Sequence, residues 1–197
     1  MEHHLTGVDR AKLEKAQQMI GEAFGEDSEE VILRSPDRFA RWQEKALSEP
    51  RDAYKRDELR LFPVKGESCV GLVTIKATAF SACEHHYAPA WLKATIGYVP
   101  DRSFIGYSKI VKMFRHFACR YTMDERLCNE FVAEFVEMVE PLGVGVVLRG
   151  KHFCVISRGG PESDFPSVTA LWGHLKSDAQ LRDEFHRHAF TSWENGV

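Results

Sequence analysis

The sequence predicts an α+β fold in which helices pack against an antiparallel sheet. The first observation is a change of hydrophobic period: apolar residues recur at helical spacing before residue 50, whereas segments rich in β-branched and aromatic residues begin after residue 68. The second is the order of the predicted elements, which is two helices, then β-β-α-α-β-β, then one helix. These observations divide the chain into an N-terminal helical extension with a connector, residues 1–65, and a sheet-containing domain, residues 66–197.

Two helices are predicted in the extension. Residues 8–24, "VDRAKLEKAQQMIGEAF", place apolar side chains at helical spacing and predict an amphipathic helix. In "RSPDRFARWQEKAL", Ser35 is a candidate N-cap and Pro36 suits the first helical position, so a second helix is predicted to begin there. Residues 50–68 are mostly polar and are interrupted by proline and glycine, so they are predicted to form the connector.

The second domain is predicted to contain four strands and three helices. The strands are "CVGLVTIKATAF", "AWLKATIGYVP", "VGVVLRG" and "HFCVISRGG", and the last two are predicted to form a hairpin with Gly150 in its turn. "YSKIVKMFRHFAC" predicts a helix with Ser108 as a candidate cap. "MDERLCNEFVAEFVEMVEPLG" predicts a longer helix that is capped by Asp124 and ended by Pro141 and Gly143. "SDAQLRDEFHRHAF" predicts the last helix.

The composition is that of a soluble globular protein, with 44% hydrophobic and 28% charged residues. A net charge of -3 argues against a general nucleic-acid binder, and no apolar run approaches the ~20 residues that cross a bilayer. The N-terminal "MEHHLTGVDR" lacks the apolar region of a signal peptide, so a cytoplasmic protein with reduced thiols is predicted. The thiols in question are Cys69, Cys83, Cys119, Cys128 and Cys154, of which Cys119 and Cys128 are predicted to be buried within helices.

The segment "SACEHHYAPAW" carries a cluster of metal-binding and proton-transfer side chains. Cys83 and His86 are three residues apart and can reach one ion, and Cys154 is the candidate third ligand. Two thiolates, one imidazole and an open position for water form a catalytic zinc pattern, in which the metal lowers the pKa of that water. The alternative is a buried cysteine with two histidines that are hydrogen-bonded to backbone carbonyls.

The predicted strand "KHFCVISRG" adds further groups to this site. On a strand, His152, Cys154 and Arg158 would share one face, with Arg158 about 13 Å from Cys154. That face would carry a proton-transfer residue beside the metal and a cation about one nucleotide's length away. The alternative is an edge strand with polar residues placed by chance.

Two helix starts provide candidate substrate contacts. Ser108 and Lys112 lie four apart on one helix face with Lys109 beside them, at an N-terminus where anions are favoured. The alternative for these lysines is a solvated helix face. Glu125 either suits the helix dipole or accepts two N–H bonds from a guanine edge. Residue types alone leave both alternatives open.

Several short motifs together resemble the GTP cyclohydrolase I family, in the same order and at similar spacing. They are "CEHH" after a strand, "IGYSK" at a helix start, "ERL" in the next helix, "GVGVV", and "HFC" followed by "RG". The N-terminal "GEDSEEVILRSPDRFAR" is similar to the helix pair that precedes the catalytic domain of that family. The resemblance covers roughly residues 10–190.

The resemblance implies a T-fold catalytic domain that assembles into a toroidal homo-oligomer, usually a decamer, with active sites at subunit interfaces. It implies a zinc-dependent reaction in which water attacks C8 of GTP and opens the imidazole ring, and C8 leaves as formate. An Amadori rearrangement of the ribose and ring closure then give 7,8-dihydroneopterin triphosphate. No nucleic-acid or membrane partner is expected.

The resemblance also implies a role for each candidate residue. The zinc ligands are Cys83, His86 and Cys154. His85 and His152 transfer protons around N7, C8 and N9 of the purine. Ser108 contacts the ribose or the phosphates, and Glu125 anchors the guanine. The triphosphate lies among Arg41, Lys109, Lys112 and Arg158, and Glu84 gives structural support.

The substrate pocket departs from the family pattern at two positions. Lys112 replaces the usual Arg and loses the bidentate fork for phosphate. Asp124 replaces the usual Gln before Glu125 and adds a negative charge beside the purine or sugar. The segment "GPESDFPSVTALWG" also differs from the family's Ser/Thr-rich stretch. Two further readings therefore stay open, which are a family member that acts on another purine or stops at ring opening, and a non-catalytic T-fold binding protein.

Overall fold

The computed structural model describes residues 8–66, 71–160 and 166–191, and Cys69 lies outside these ranges. Its helices are α1 (Arg10–Ala23), α2 (Ser35–Gln43), α3 (Glu49–Asp52), α4 (Tyr107–Ala118), α5 (Asp124–Val139), α6 (Phe153–Ile156), α7 (His174–Ser177) and α8 (Ala179–Thr191). Its strands are β1 (Leu61–Pro63), β2 (Val73–Cys83), β3 (Pro89–Val99), β4 (Ser103–Ile105), β5 (Tyr121–Thr122), β6 (Gly143–His152) and β7 (Ser167–Gly173). The predicted mixed α+β class is confirmed.

The main sheet has five strands in the order β5-β2-β3-β6-β7. The long strands β2, β3, β6 and β7 are antiparallel neighbours, and β5 adds a short parallel edge to β2. Along the β3–β6 pair, Ala90 lies opposite His152 at one end and Val99 lies opposite Gly143 at the other. A separate two-stranded ribbon joins β1 to β4.

The two faces of the sheet are covered by different helices. On one face, Leu92, Ile96 and Leu148 belong to a large apolar core that includes buried side chains of α4 and α5, such as Phe114 and Phe131. On the other face, a smaller cluster is formed by Val147, Leu175, Phe185 and Ala189. Six successive residues of β6, Gly143 to Leu148, are buried, and because neighbours on a strand point to opposite faces, both faces of the sheet are covered there.

The predicted hairpin around Gly150 is wrong, because β6 continues through Gly150 to His152. The residues that follow form the helical turn α6 instead of a strand. The reason is pairing: β3 begins at Pro89, so no residue of β3 lies opposite residues 154–156. The chain therefore satisfies its own backbone groups, with Ser157 N donating to Phe153 O at 2.9 Å.

The fourth long strand of the sheet is β7, which lies in the segment "GPESDFPSVTALWG" and was not predicted as a strand. Three predicted caps are also wrong. Ser35 follows a π-helical turn over Glu30–Arg34 and lies inside helical structure. Gly106 precedes α4 and Met123 precedes α5, so Ser108 and Asp124 are helical residues and not caps.

The extension packs against α4 and α5 through polar contacts. The Tyr54 hydroxyl donates to Glu134 at 2.6 Å, and Arg56 makes two 3.0 Å bonds to the same carboxylate. His116 of α4 bonds to the carbonyl oxygen of Arg51 at 3.0 Å. Burial of this imidazole lowers its pKa, and the bond to Arg51 opposes that effect. The division into 1–65 and 66–197 stays a prediction.

None of the helices in the described ranges is long and apolar enough to span a bilayer.

Candidate metal centre and active site

The candidate site lies where β2, β3 and β6 end together. Cys83 is the last residue of β2, His86 lies in the turn to β3, and Cys154 lies in α6 directly after β6. The turn is held by two backbone bonds of 2.9 Å, from Tyr87 N to Cys83 O and from Cys83 N to Ala88 O. The register of β6 on β3 thus brings a residue 71 positions later in the chain, Cys154, beside Cys83.

The predicted ligand set comes together in space. One ligand atom each from Cys83, His86 and Cys154 lies within 4.8 Å of the other two, and Cys83 Sγ is 3.5 Å from His86 Nδ1. Burial and the neighbouring Cys83 thiol raise the pKa of Cys154. A cation would favour the deprotonated thiols, and a set of two thiolates and one imidazole fits zinc with one position left open.

Arg158 lies much nearer to the cluster than the strand prediction implied. Its Nε donates to Cys154 O at 2.7 Å, and its Nη2 is 3.5 Å from His86 Nε2. The predicted separation of about 13 Å is wrong because residues 153–156 form a helical turn, and positions four apart on a helix are neighbours. The cation is therefore beside the metal ligands.

Glu84, which was predicted to give structural support, forms a two-pronged ion pair with Arg126. The distances are 2.7 Å for Nη1 to Oε2 and 3.3 Å for Nη2 to Oε1. This pair joins the turn that carries His86 to the first turn of α5, which carries Glu125. Arg126 had no predicted role, although it stands next to Glu125 in the motif "ERL".

His152 forms a hydrogen bond with Asp124, and Nε2 is 2.8 Å from Oδ2. The two side chains are only 18% and 10% exposed. The hydrogen bond to Asp124 raises the pKa of His152, and the negative charges of Asp124 and Glu125 act in the same direction against burial. Asp124 thus engages a proton-transfer candidate, and its predicted contact with substrate stays a prediction.

His85 lies on the exposed side of the cluster. Its Nδ1 is 4.0 Å from Cys83 Sγ, and its Nε2 is 3.9 Å from Glu84 Oε1. The His85 and His86 rings are nearly perpendicular, with centroids 6.2 Å apart. The arrangement gives each histidine a different neighbour, which is compatible with different roles for the two.

Ser108, Lys109 and Lys112 lie far from the cluster within one chain. Ile105, three residues before Ser108, approaches the Tyr98 hydroxyl at 3.5 Å, and Tyr98 is near the end of β3 that is remote from His152. The eight residue-to-residue steps of β3 from Tyr98 back to Ala90, the partner of His152, span about 26 Å. One chain therefore holds two separated groups of predicted site residues.

Arg41 of α2 is also not among the residues that contact the cluster. Its Nη2 lies 2.5 Å from Asp37 Oδ2, in an exposed ion pair one turn apart on the helix. The described contacts link seven residues into one group, which are Cys83, Glu84, His85, His86, Arg126, Cys154 and Arg158. His152 and Asp124 form a second pair, and His152 lies two residues before Cys154 in the chain.

Comparison with known proteins adds an independent finding. The family model for GTP cyclohydrolase I matches residues 13–189. A protein named GTP cyclohydrolase 1 from Aquifex aeolicus is 35% identical over 182 residues, which are 90% of this chain and 95% of that protein. A protein of the same name from Nitrosospira multiformis is 36% identical over 174 residues, which are 85% of this chain and 89% of that protein.

Proposed function

Because the chain belongs to the GTP cyclohydrolase I family, a family of hydrolases, we propose that it is a zinc-dependent enzyme that opens the imidazole ring of GTP. C8 leaves as formate, and the ring closes again to give 7,8-dihydroneopterin triphosphate. The observation that carries this proposal is the convergence of Cys83, His86 and Cys154 beside the His152–Asp124 pair. These are a ligand set and a proton-transfer group for hydrolysis.

Cys83, His86 and Cys154 hold the zinc in this proposal. When bound, zinc supplies activated water at neutral pH. The Glu84–Arg126 pair fixes the turn that carries His86, and Arg158 holds the backbone at Cys154. Free thiols serve as ligands in a reducing compartment, so we assign the reaction to the cytoplasm.

The other side chains bind and orient the substrate. Glu125 accepts bonds from N1–H and the exocyclic amine of guanine, a pair of donors that adenine does not offer. His85 and His152 move protons at N7, C8 and N9 of the purine. Asp124 lies beside the purine or sugar, and Ser108 contacts the ribose or phosphates. The four cations that face the triphosphate are Arg41, Lys109, Lys112 and Arg158.

The enzyme works as a homo-oligomer with active sites between subunits, and we propose the toroidal decamer. The start of α4 lies near the Tyr98 end of β3, and the strand from Tyr98 to Ala90, which is opposite His152, spans about 26 Å. This placement at opposite ends of the strand supports a site that is completed by a second subunit. In a ring, the metal-ligand residues of one subunit meet the start of α4 of the next subunit. Arg41 would reach the triphosphate by the same route.

Complementation between inactive variants tests the shared site. Cys154→Ser removes a metal ligand, and Lys109→Ala with Lys112→Ala removes two phosphate contacts. Each variant alone should be inactive or nearly so. If sites are shared between neighbours, unfolding and reassembling a one-to-one mixture should restore about one quarter of the sites. A mixture no more active than its components would contradict a site built from two subunits.

The substrate is tested by incubating the zinc-loaded protein with GTP, GDP, GMP and guanosine and measuring formate and pterin fluorescence. GTP should be preferred, and the Asp124→Gln, Lys112→Arg double variant should keep that preference. Formate without pterin fluorescence would support a reaction that stops after ring opening. Preference for a less phosphorylated purine would support another substrate. Binding without any product would support a non-catalytic T-fold protein.

The guanine contact has its own variant. Glu125 is exposed in the single chain, and Glu125→Ala should weaken GTP binding by several kcal/mol because a charged hydrogen-bond acceptor is lost. Glu137→Ala, on the same helix but in an ion pair with Arg56, is the matched control and should bind GTP like the parent. Equal affinity of Glu125→Ala and the parent would leave Glu125 as a helix-end residue only.

A further inference from the structure

Asp124 contacts a proton-transfer residue and not the metal ligands. It is the first residue of α5, and only 9% of its surface is exposed. Its Oδ2 lies 2.8 Å from His152 Nε2, whose side chain is 18% exposed. A buried carboxylate that has an imidazole as its partner restricts the orientation of that ring.

Gly150 provides the space for this pair. It lies two residues before His152 on β6 and therefore faces the same side of the sheet. A Cβ at this position would lie 2.8 Å from His152 Nε2 and 3.3 Å from Asp124 Oδ2. The same Cβ would lie 2.8 Å from Leu92 Cδ2, so the space at Gly150 is bounded by the imidazole, the carboxylate and Leu92 together.

The bond also assigns the proton on the ring. An ionised carboxylate only accepts hydrogen bonds, so Nε2 must carry the hydrogen. The start of a helix favours a negative charge, which suits an ionised Asp124. In the neutral ring, Nδ1 then holds the free lone pair.

We propose that Asp124 is a positioning residue for His152, which it holds in the Nε2–H tautomer so that Nδ1 exchanges protons with the substrate. This assignment rests on the proposed ring-opening function only for the identity of the substrate. In each turnover Nδ1 accepts one proton and later returns it, so the ring ends in its starting state. Asp124 itself keeps its charge throughout.

The tautomer is tested directly, without substrate, by solid-state NMR of protein that contains ¹⁵N-labelled histidine. The signal of His152 is identified by its loss in His152→Asn. The parent should show the neutral ring protonated at Nε2, and Asp124→Ala should show both tautomers. A parent ring protonated at Nδ1, or a tautomer unchanged in Asp124→Ala, would overturn the proposal.

Kinetics separate positioning from a direct substrate contact. Asp124→Ala should lower kcat by about 10- to 100-fold, as is typical for residues that orient functional histidines, with KM for GTP little changed. In a His152→Ala background the same substitution should cause no further loss, because its effect passes through the ring. A raised KM, or an equal loss in both backgrounds, would instead make Asp124 a substrate contact.

Two further variants keep the test independent of folding and of the substrate assignment. Asp124→Asn retains a hydrogen-bonding side chain of the same size, so it should hold the ring in place and lose less activity than Asp124→Ala. Its amide can accept from or donate to Nε2, so it should fix the tautomer less strictly than the carboxylate does. Glu130→Gln removes a charge from the same helix at an ion pair with Arg120, and it should behave like the parent. If the parent protein does not open the imidazole ring of GTP, the proposed function is wrong. The NMR result still shows whether Asp124 fixes the tautomer of His152.

Discussion

The two ends of the β3–β6 pair both contain glycines that admit a side chain from elsewhere, but the side chains differ. At one end Gly97 and Gly145 face each other, and a Cβ on Gly97 would lie 2.6 Å from the ring of Phe185. At the other end Gly150 lies against His152 and Asp124. The first end is apolar and fully buried, whereas the second is polar and partly open. Close packing against glycine thus accommodates an aromatic side chain of the core at one end and the His152–Asp124 pair at the other.

The largest expected effect comes from removing a metal ligand. Cys154→Ser should lose both the bound zinc, about one ion per chain in the parent, and essentially all activity. Cys128→Ala is the matched control, since burial raises the pKa of that thiol to about 12 and it lies within α5. Metal analysis and GTP turnover measure both. Full activity in metal-free protein would contradict the zinc assignment.

A large change of stability without a change of chemistry is expected at the apolar end. Phe185 has no exposed surface, so Phe185→Ala should cost about 3–5 kcal/mol in the free energy of unfolding. Phe190 is 42% exposed on the same helix, and Phe190→Ala should cost far less. Urea unfolding measures both, with zinc content as the second readout. Loss of zinc from folded Phe185→Ala would show that the two ends are not independent.

A matched pair of glycine variants compares the two ends directly. Gly97→Ala should lower the free energy of unfolding by about 1–3 kcal/mol, because the Phe185 ring must move, and leave kcat of the folded enzyme unchanged. Gly150→Ala should lower kcat by about tenfold or more, because it displaces the His152–Asp124 pair. If Gly97→Ala reduced kcat as much as Gly150→Ala, the distinction between the two ends would be wrong.

The smallest expected effect concerns a polar contact that belongs to neither end. The pKa of His116 is lowered by burial, so below its ordinary value of about 6.5 the unfolded chain binds more protons than the folded one. The contribution of His116 to stability is therefore complete above about pH 6.5 and declines as the pH falls through the folded-state pKa. His116→Asn keeps a donor for the Arg51 carbonyl but does not titrate. Its urea midpoint should change less between pH 8 and pH 5 than that of the parent, and an identical change would exclude this role.

Local patterns predicted the parts of the fold that local interactions determine. The strands β2 and β3, the helices α4, α5 and α8, and the Cys83–His86 spacing all follow from short-range periodicity or a single turn. The convergence with Cys154 was predicted from chemistry, since zinc needs a third ligand. These features did not require knowledge of which strands pair.

Features that depend on pairing between distant segments were predicted less well. Gly150 resembles a turn residue in the sequence, but its pairing with Leu92 keeps it in β6. Val155 and Ile156 favour a strand, but β3 begins only at Pro89 and has no residue opposite them, so they form a helical turn. Asp124 and His152 are 28 residues apart, and only the unusual acid before Glu125 marked that position. In each case tertiary contacts outweighed local preference.

The alternation of faces along β6 limits which changes of length its gene can tolerate. Gly145 lies on the Phe185 side of the ten-residue strand, while Gly150 and His152 lie on the other side. Loss or gain of one codon between these glycines would turn the His152 imidazole towards α8 and Phe185. Loss or gain of two codons would return the His152 imidazole to its original face of the sheet. It would also move the imidazole about 7 Å along β3, away from its partner Ala90. Related genes that keep both the core and the reaction should therefore vary this strand by substitution, and vary in length only beyond its ends.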